Sequence, residues 1–125
     1  MSGILFFDGA CGMCTRSVEF ILRHNRTGEL QTEPLQGPGV AQRLGIAPAQ
    51  LLDSGRWLDS SGAVYSGAEA MNAAVSAAIG SKLPLVLYRV PGIRFIEEAI
   101  YRWVAGHRYR FRGTTPYCES HPAAC

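Results

Sequence analysis

Two cysteines separated by two residues, Cys11 and Cys14, are the side chains of this sequence best suited to chemistry. An apolar run of strand type, Ile4-Leu5-Phe6-Phe7, ends at Asp8-Gly9-Ala10, and a helical pattern follows at once. Cys11 is therefore expected near a helix N-terminus, with Cys14 one turn further in. There the first backbone N–H groups have no partner within the helix and the helix dipole is positive, so a thiolate is favoured. Because the thiolate is the reactive form of cysteine, the pair predicts a dithiol redox site.

Two other roles for these cysteines stay open. A cysteine outside a disulfide packs as a small apolar side chain, so both could be ordinary core residues, although the strand-to-helix junction favours redox chemistry. They could also give two thiolates to a zinc site completed by Cys118, His121 and Cys125. In structural zinc motifs the two residues of the second ligand pair usually lie closer together in the sequence than Cys118, His121 and Cys125 do. We therefore expect neither a metal nor another cofactor.

The composition indicates an ordinary globular domain. A chain of 125 residues, 47% apolar and 18% charged, can bury a core without disulfides or metals. The net charge of only +2 gives no reason to expect a nucleic-acid partner. No apolar run approaches the ~20 residues of a membrane span, and the N-terminus lacks a signal-peptide pattern, so we expect a cytoplasmic protein. In a reducing cytosol a Cys-x-x-Cys pair is more often catalytic or metal-binding than structural.

The rest of the pattern predicts the elements that hold the pair. Residues 29–33 alternate as a second strand, parallel to the first because a helix crosses between them. Short helical segments are expected at 40–44 and 48–52, and residues 57–65 predict a hairpin. Ser66 and Glu69 form a capping box before an apolar helix face that runs to Ile79. The order β-α-β-α-β-β-α resembles the thioredoxin-like α/β arrangement, in which a Cys-x-x-Cys follows the first strand.

Residues 81–112 exceed that minimal fold and predict a helical extension of the same domain, residues 1–112. Residues 83–90 indicate one short buried helix. A longer amphipathic helix is marked by Phe95, Ile96, Ala99, Ile100, Trp103, Val104 and Phe111. Its apolar stripe is expected to pack within the domain, the alternative being a docking face for another chain or a membrane surface. Residues 113–125 are expected to form a flexible tail, with Cys118 and Cys125 dispensable for the chemistry. The competing idea is a relay, in which a tail cysteine passes electrons to the Cys11–Cys14 disulfide.

Four segments carry a resemblance to a known family: Asp8-Gly9-Ala10-Cys11-Gly12-Met13-Cys14, Pro34-Leu35-Gln36, and residues 62–70 and 101–110. Through them the chain resembles, over nearly its whole length, the small DCC-type thiol-disulfide oxidoreductases, once catalogued as a domain of unknown function. The Asp-Gly-x-Cys-x-x-Cys opening is much more specific than a bare Cys-x-x-Cys. The resemblance implies a thioredoxin-like fold and protein-disulfide reductase activity.

The expected reaction is thiol–disulfide exchange. Cys11, expected to be the more exposed thiol, attacks a disulfide sulfur, and Cys14 then displaces the product and closes the Cys11–Cys14 bond. Asp8 is a candidate proton acceptor for Cys14, or else a hydrogen-bond acceptor for the N–H groups of the turn. Gly12 leaves the approach of a substrate to the cysteines open, and Met13 adds no charge that would stabilise a thiolate. Both residues lie between the cysteines and are candidate substrate contacts. The expected partners are a disulfide-containing protein or a small-molecule thiol, together with an upstream thiol electron donor.

The sequence departs from the thioredoxin-like pattern in one feature that serves substrate docking. Thioredoxin-like enzymes place a cis-proline just before the third strand, whereas residues 53–56 contain no proline here. Ser66 and Gly67 are therefore candidates to approach the dithiol instead, and Tyr101 and Arg108 are candidates to line a substrate groove.

A non-catalytic thioredoxin-like adaptor, with an arginine-rich helix that binds a partner, is a further alternative.

Overall fold

A four-stranded mixed sheet positions the cysteine pair. The computed structural model describes residues 2–107 and 114–125. The strands are β1 (Gly3–Phe7), β2 (Leu30–Pro34), β3 (Arg56–Asp59) and β4 (Val64–Ser66). They lie in the order β2-β1-β3-β4, with β1 parallel to β2 and antiparallel to β3. β1 is therefore an inner strand, flanked by β2 and β3. The cysteines follow its C-terminal end and so lie near the middle of the sheet rather than at its side.

Helices and turns connect these strands in the predicted order. The helices are α1 (Gly12–Arg23), α2 (Val40–Leu44), α3 (Gly67–Ile79), α4 (Leu83–Tyr88), α5 (Pro91–Gly106) and α6 (Tyr117–Ser120). Two 3₁₀ helices, Pro48–Asp53 and Pro122–Ala124, complete the set for the described residues. The β-α-β-α-β-β-α core and its helical extension confirm the α/β fold with a thioredoxin-like arrangement. No helix within residues 2–107 or 114–125 has the length and apolar character needed to cross a bilayer.

The core lies on both faces of the sheet because successive side chains of β1 alternate. Leu5 and Phe7 pack with Trp57 beneath α1 and α3, whereas Phe6 faces the opposite way, toward α2. Helix α3 approaches the sheet through a face of small residues that are almost fully buried: Ala70, Ala73, Ala74, Ala77 and Ala78. Close packing of this helix leaves β1 fixed in the centre of the domain.

The predicted capping box is wrong. Ser66 occupies the residue before α3, but its side chain makes no capping hydrogen bond to the helix. Its hydroxyl instead accepts a hydrogen bond from the Arg56 guanidinium at 2.6 Å. Gly67, the first helical residue, has a φ of +65°, which few residues other than glycine adopt. The turn into α3 therefore depends on Gly67 rather than on a serine cap.

The two helices of the extension are more exposed than predicted. In α4 only Leu85 and Tyr88 are buried, so the expectation of a buried helix is wrong for most of its length. The apolar stripe of α5 is also largely in solvent, with Phe95 71% and Trp103 58% exposed. Phe111, the last residue of the expected stripe, lies outside the described residues.

Helix α5 joins the domain through its other face, which explains this difference. Glu97 accepts a hydrogen bond from the Asn72 amide, and Glu98 accepts one from the Tyr88 hydroxyl at 2.6 Å. The Tyr101 hydroxyl accepts the backbone N–H of Gly55. These polar groups join the helix to the domain, together with Val104 of the apolar stripe, which is half-buried. Hydrophobic periodicity alone does not reveal the polar contacts.

Candidate active site

Cys11 and Cys14 lie where the sequence predicts, at the junction of β1 and α1. Cys11 is the N-cap residue of α1, with extended backbone angles. Both side chains are thiols in this structure, and the backbone N–H of Cys14 donates to Cys11 Sγ at 3.3 Å. One of the first N–H groups of the helix is thus directed at the sulfur. A hydrogen bond of this kind and the positive end of a helix dipole are the two features that stabilise a thiolate at a helix N-terminus.

The expected exposure of the two thiols is wrong. Cys11 is only 1% exposed, whereas Cys14 is half-buried. A helical pattern places Cys11 at the end of the helix, but it gives no information on what else covers that end. In the structure the C-terminal segment, residues 114–125, lies along the backbone on both sides of Cys11.

Cys14 opens into an apolar cavity of about 190 Å³. Its walls come from β1, α1 and the extension helix α5, including Phe7, Val18 and Val104. Met13 also lines it, as expected of a substrate contact, whereas Cys11 is not among its lining residues. Most of the lining is apolar, but Asp8 also lines this cavity and brings a carboxyl group to the same space as Cys14.

A wider, open groove of about 530 Å³ adjoins this cavity. Ser66 and Gly67 line the groove but not the cavity that holds Cys14. Tyr101 lines both spaces, and Ser54 and Ala105 also belong to both, so the cavity and the groove share one wall. The candidates Met13, Ser66, Gly67 and Tyr101 thus line these two adjoining spaces. Gly12 lines neither, and its carbonyl accepts the N–H of Thr114 from the C-terminal segment. Arg108, the remaining candidate, lies outside the described residues.

Residues 54–55 lie where thioredoxin-like enzymes carry their cis-proline. Both line the Cys14 cavity, and all peptide bonds in the described ranges are trans. The N–H of Gly55 donates to the Tyr101 hydroxyl at 2.8 Å, and its carbonyl accepts the N–H of Gly67 at 3.1 Å. Tyr101 from α5 therefore holds this loop beside the cavity, a role that the sequence did not indicate.

Asp8 is buried and organises the turn before Cys11. One carboxylate oxygen, Oδ1, accepts the backbone N–H of Ala10 at 3.0 Å and the side-chain amide of Gln36 at 2.7 Å. The other end of that amide, Gln36 Oε1, accepts the N–H of Gly9. The structure therefore shows the hydrogen-bonding role expected of Asp8, while its role as a proton acceptor stays a prediction. Gln36 was missed as a site residue, although Pro34-Leu35-Gln36 was one of the segments that carried the family resemblance.

The C-terminal segment contacts this turn and is closed by a disulfide between Cys118 and Cys125. The N–H of Cys118 donates to the carbonyl of Gly9 at 2.9 Å, and the Tyr117 ring meets Phe7 edge-on at 5.4 Å. These contacts differ from the expectation that nothing holds a tail thiol at fixed geometry. The segment contains proline and polar residues without hydrophobic periodicity, so its sequence did not predict packing against the domain. Tyr117 was the one residue whose type indicated such packing. The boundary between domain and tail stays a prediction.

The described residues do not bring together three or more side chains suited to a metal ion. In this structure Cys118 and Cys125, two of the residues that the zinc alternative adds to Cys11 and Cys14, are bonded to each other.

The comparisons with known proteins agree with this geometry. The sequence model of one family, described as DCC1-like thiol-disulfide oxidoreductase, matches residues 5–114. The chain belongs to this family. The match confirms the resemblance on which the expected fold and chemistry were based.

Two relatives of this DCC1-like protein extend the match. It is 26% identical over 119 residues to the uncharacterized protein YuxK of Bacillus subtilis, covering 92% of this chain and 84% of the relative. It is 29% identical over 120 residues to a chloroplastic DCC family protein of Arabidopsis thaliana, covering 93% of this chain and 68% of the relative. No solved structure gives a significant match. The matched family range ends at residue 114, so the family description does not extend to the Cys118–Cys125 disulfide.

Proposed function

We propose that this DCC1-like protein catalyses thiol–disulfide exchange with the Cys11–Cys14 pair and acts as a protein-disulfide reductase. The observation that carries the proposal is the N–H of Cys14 directed at Cys11 Sγ at the start of α1. A thiolate attacks disulfides, and this hydrogen bond stabilises the thiolate before a substrate arrives. The family description supports the same class of chemistry.

The reaction needs one thiol to attack and one to resolve. Cys11 attacks a substrate disulfide, forming a mixed disulfide and releasing one substrate thiolate. Cys14 then attacks the Cys11 sulfur, which closes the Cys11–Cys14 bond and releases the second substrate thiol. Asp8, which lines the same cavity as Cys14, is the proposed proton acceptor for Cys14. Because Cys11 is covered in this structure, the attack also requires the C-terminal segment to move from residues 9–12.

The cavity and the groove supply the proposed substrate surface. The apolar walls beside Cys14 suit the apolar flank of a cystine, and the open groove that shares Tyr101 suits the chain that continues from it. We therefore propose a disulfide-containing protein or a small disulfide as the substrate. The cycle is completed when an upstream thiol donor reduces the Cys11–Cys14 bond, in a reducing compartment such as the cytoplasm.

The test compares wild-type protein with Cys11→Ser and Cys14→Ser in a disulfide-reduction assay with insulin and a chemical reductant. Cys11→Ser is expected to abolish the reduction, because it removes the attacking thiol. Cys14→Ser is expected to accumulate a mixed disulfide of Cys11 with the substrate, because nothing resolves it. An adduct on Cys14 in the Cys11→Ser variant would reverse the two roles. Full activity in both variants would refute the proposal, and a partner retained by the inactive protein would favour the adaptor.

A further inference from the structure

The sulfur of Cys118 lies against the turn that carries the dithiol. A Cβ atom added to Gly9 would come within 2.5 Å of Cys118 Sγ, so only a glycine leaves room for the sulfur at this point. The same sulfur is 3.8 Å from Gln36 Oε1, the atom that holds the N–H of Gly9. Gly9 precedes Cys11 by two residues. The tail disulfide therefore rests beside the Cys-x-x-Cys turn rather than in solvent.

Hydrogen bonds hold the tail to residues before and after Cys11: the N–H of Cys118 donates to the carbonyl of Gly9, and two further bonds reach the residues that follow Cys11. The N–H of Thr114 donates to the carbonyl of Gly12 at 3.2 Å, and the N–H of Tyr117 donates to the hydroxyl of Thr15 at 3.1 Å. That hydroxyl in turn donates to the carbonyl of Cys11 at 2.9 Å. Because both cysteine pairs belong to one chain, their exchange is intramolecular, and anchors that keep the tail beside the turn raise the effective concentration of the sulfurs.

We propose that Cys118–Cys125 is a second redox-active pair and the internal exchange partner of the Cys11–Cys14 dithiol. The proposal rests on the dithiol chemistry of the proposed function and gives the tail the role of relaying electrons. The structure contains both reactants of the exchange, since Cys11 and Cys14 are thiols and the tail pair is oxidised. The sequence-based expectation that the tail cysteines are dispensable stays a prediction, and the relay is the alternative to it.

The exchange needs no further oxidant or reductant. The Cys11 thiolate attacks Cys118 Sγ, the Cys118–Cys125 bond breaks, and Cys125 leaves as a thiolate that takes a proton from solvent. Cys14, losing its proton, then attacks the Cys11 sulfur and releases Cys118 as a thiol. Two electrons pass from the dithiol to the tail, one disulfide is lost and one is formed. The reverse sequence carries electrons from the tail to the Cys11–Cys14 pair.

The geometry assigns the attacked sulfur. Cys118 is half-buried at the turn, whereas Cys125 is exposed at the end of the chain. The attacking thiol therefore meets Cys118, and the leaving thiol departs on the solvent side, where it can accept a proton.

Two matched variants test the pairing in the full-length chain. Cys14→Ser/Cys125→Ser retains Cys11 and Cys118, and Cys14→Ser/Cys118→Ser retains Cys11 and Cys125. Each is equilibrated in glutathione redox buffers, and the internal disulfide is quantified by alkylation and peptide mass spectrometry. We expect the Cys11–Cys118 disulfide to form with an effective concentration at least about tenfold higher than Cys11–Cys125. Equal values, or glutathione adducts alone, would overturn the proposal.

A second measurement retains three cysteines and does not depend on the double variants. In Cys14→Ser, attack on the tail cannot be resolved by Cys14, so a peptide linking Cys11 to Cys118 is expected after acid quenching and non-reducing digestion. Adding Gly9→Ala to this variant displaces Cys118 Sγ and is expected to reduce the linked peptide several-fold. A linked peptide that is absent, or unchanged by Gly9→Ala, would contradict the proposed contact.

Failure of the relay can be distinguished from failure of the proposed function. The Cys118→Ser/Cys125→Ser variant is assayed for insulin reduction with a chemical reductant. If it reduces insulin but Cys11 never pairs with Cys118, the relay is wrong and the reductase function stands. If Cys11 pairs with Cys118 but no form of the protein reduces an external disulfide, the relay stands and the reductase function is wrong.

Discussion

Replacing Thr15 with valine tests whether the C-terminal segment is what covers Cys11. Thr15 is 3% exposed, and its hydroxyl accepts the backbone N–H of Tyr117 at 3.1 Å. It also donates to the carbonyl of Cys11, which still accepts the backbone N–H of Thr15 at 3.0 Å. Valine has nearly the same shape but no hydroxyl, so the main loss is the acceptor for Tyr117. The rest of α1 keeps its backbone hydrogen bonds.

The magnitude follows from that single lost acceptor. A hydrogen bond of this type contributes about 1 kcal/mol net, and Tyr117 is only half-buried, so water can partly replace the hydroxyl. A change of 1 kcal/mol shifts the ratio of open to docked tail about fivefold, since 1.4 kcal/mol is about tenfold. When opening and closing are fast, the labelling rate of a covered group follows the open population. Alkylation of Cys11 in Thr15→Val is therefore expected to be about fivefold faster than in the wild type.

The assay is pulse alkylation followed by peptide mass spectrometry, with two controls. Thr15→Ser retains the hydroxyl and is expected to label Cys11 at close to the wild-type rate. Cys14 lines the cavity on the other side, so its labelling in the same protein reports any general loosening of the fold. Labelling of Cys11 at the wild-type rate in Thr15→Val would refute the tail as its cover. Equal acceleration of both cysteines would show global destabilisation instead.

Two further predictions concern the extension helix α5. Tyr101→Phe removes the acceptor for the N–H of Gly55, so the free energy of unfolding measured in urea is expected to fall by about 1 kcal/mol, and an unchanged value would contradict this contact. Burial, together with the hydrogen bond to Glu98 and its negative charge, raises the pKa of Tyr88 above its ordinary value of 10.0. The folded state therefore favours the neutral hydroxyl. The contribution of the neutral Tyr88 hydroxyl to stability is fully present below pH 10 and declines as pH rises above 10 toward the folded-state pKa. The Tyr88→Phe variant should show a smaller decline. Equal pH dependence of stability in both proteins would refute this.

The sequence predicted the position of the dithiol because local signals are sufficient for it. An apolar strand, a break at Asp8 and a helical pattern placed Cys11 at the start of α1, where the structure has it. The parallel pairing of β1 with β2 followed from the crossover helix, since parallel strands need such a connection.

The exposure of the two thiols could not be predicted, because it depends on contacts between distant parts of the chain. Cys118 and Gly9 are far apart in sequence, and the tail has no periodicity that would indicate a packed face. The polar attachment of α5 was hidden for the same reason. Its apolar stripe predicted burial, whereas Tyr101 and Glu98 accept hydrogen bonds from Gly55 and Tyr88 and so direct their own face toward the domain.

The reduction potential of the Cys11–Cys14 couple is the most direct test of dithiol chemistry. It can be measured in Cys118→Ser/Cys125→Ser, so that only one pair titrates, by equilibration in thiol redox buffers and mass spectrometry of the alkylated protein. We expect a reversible two-electron transition to an internal disulfide, at a potential nearer the ~−270 mV of thioredoxin than the ~−120 mV of a strong oxidant. Met13 between the cysteines adds no charge to stabilise the thiolate, which favours the reducing end of that range. A pair that forms no internal disulfide at any potential would contradict the central claim.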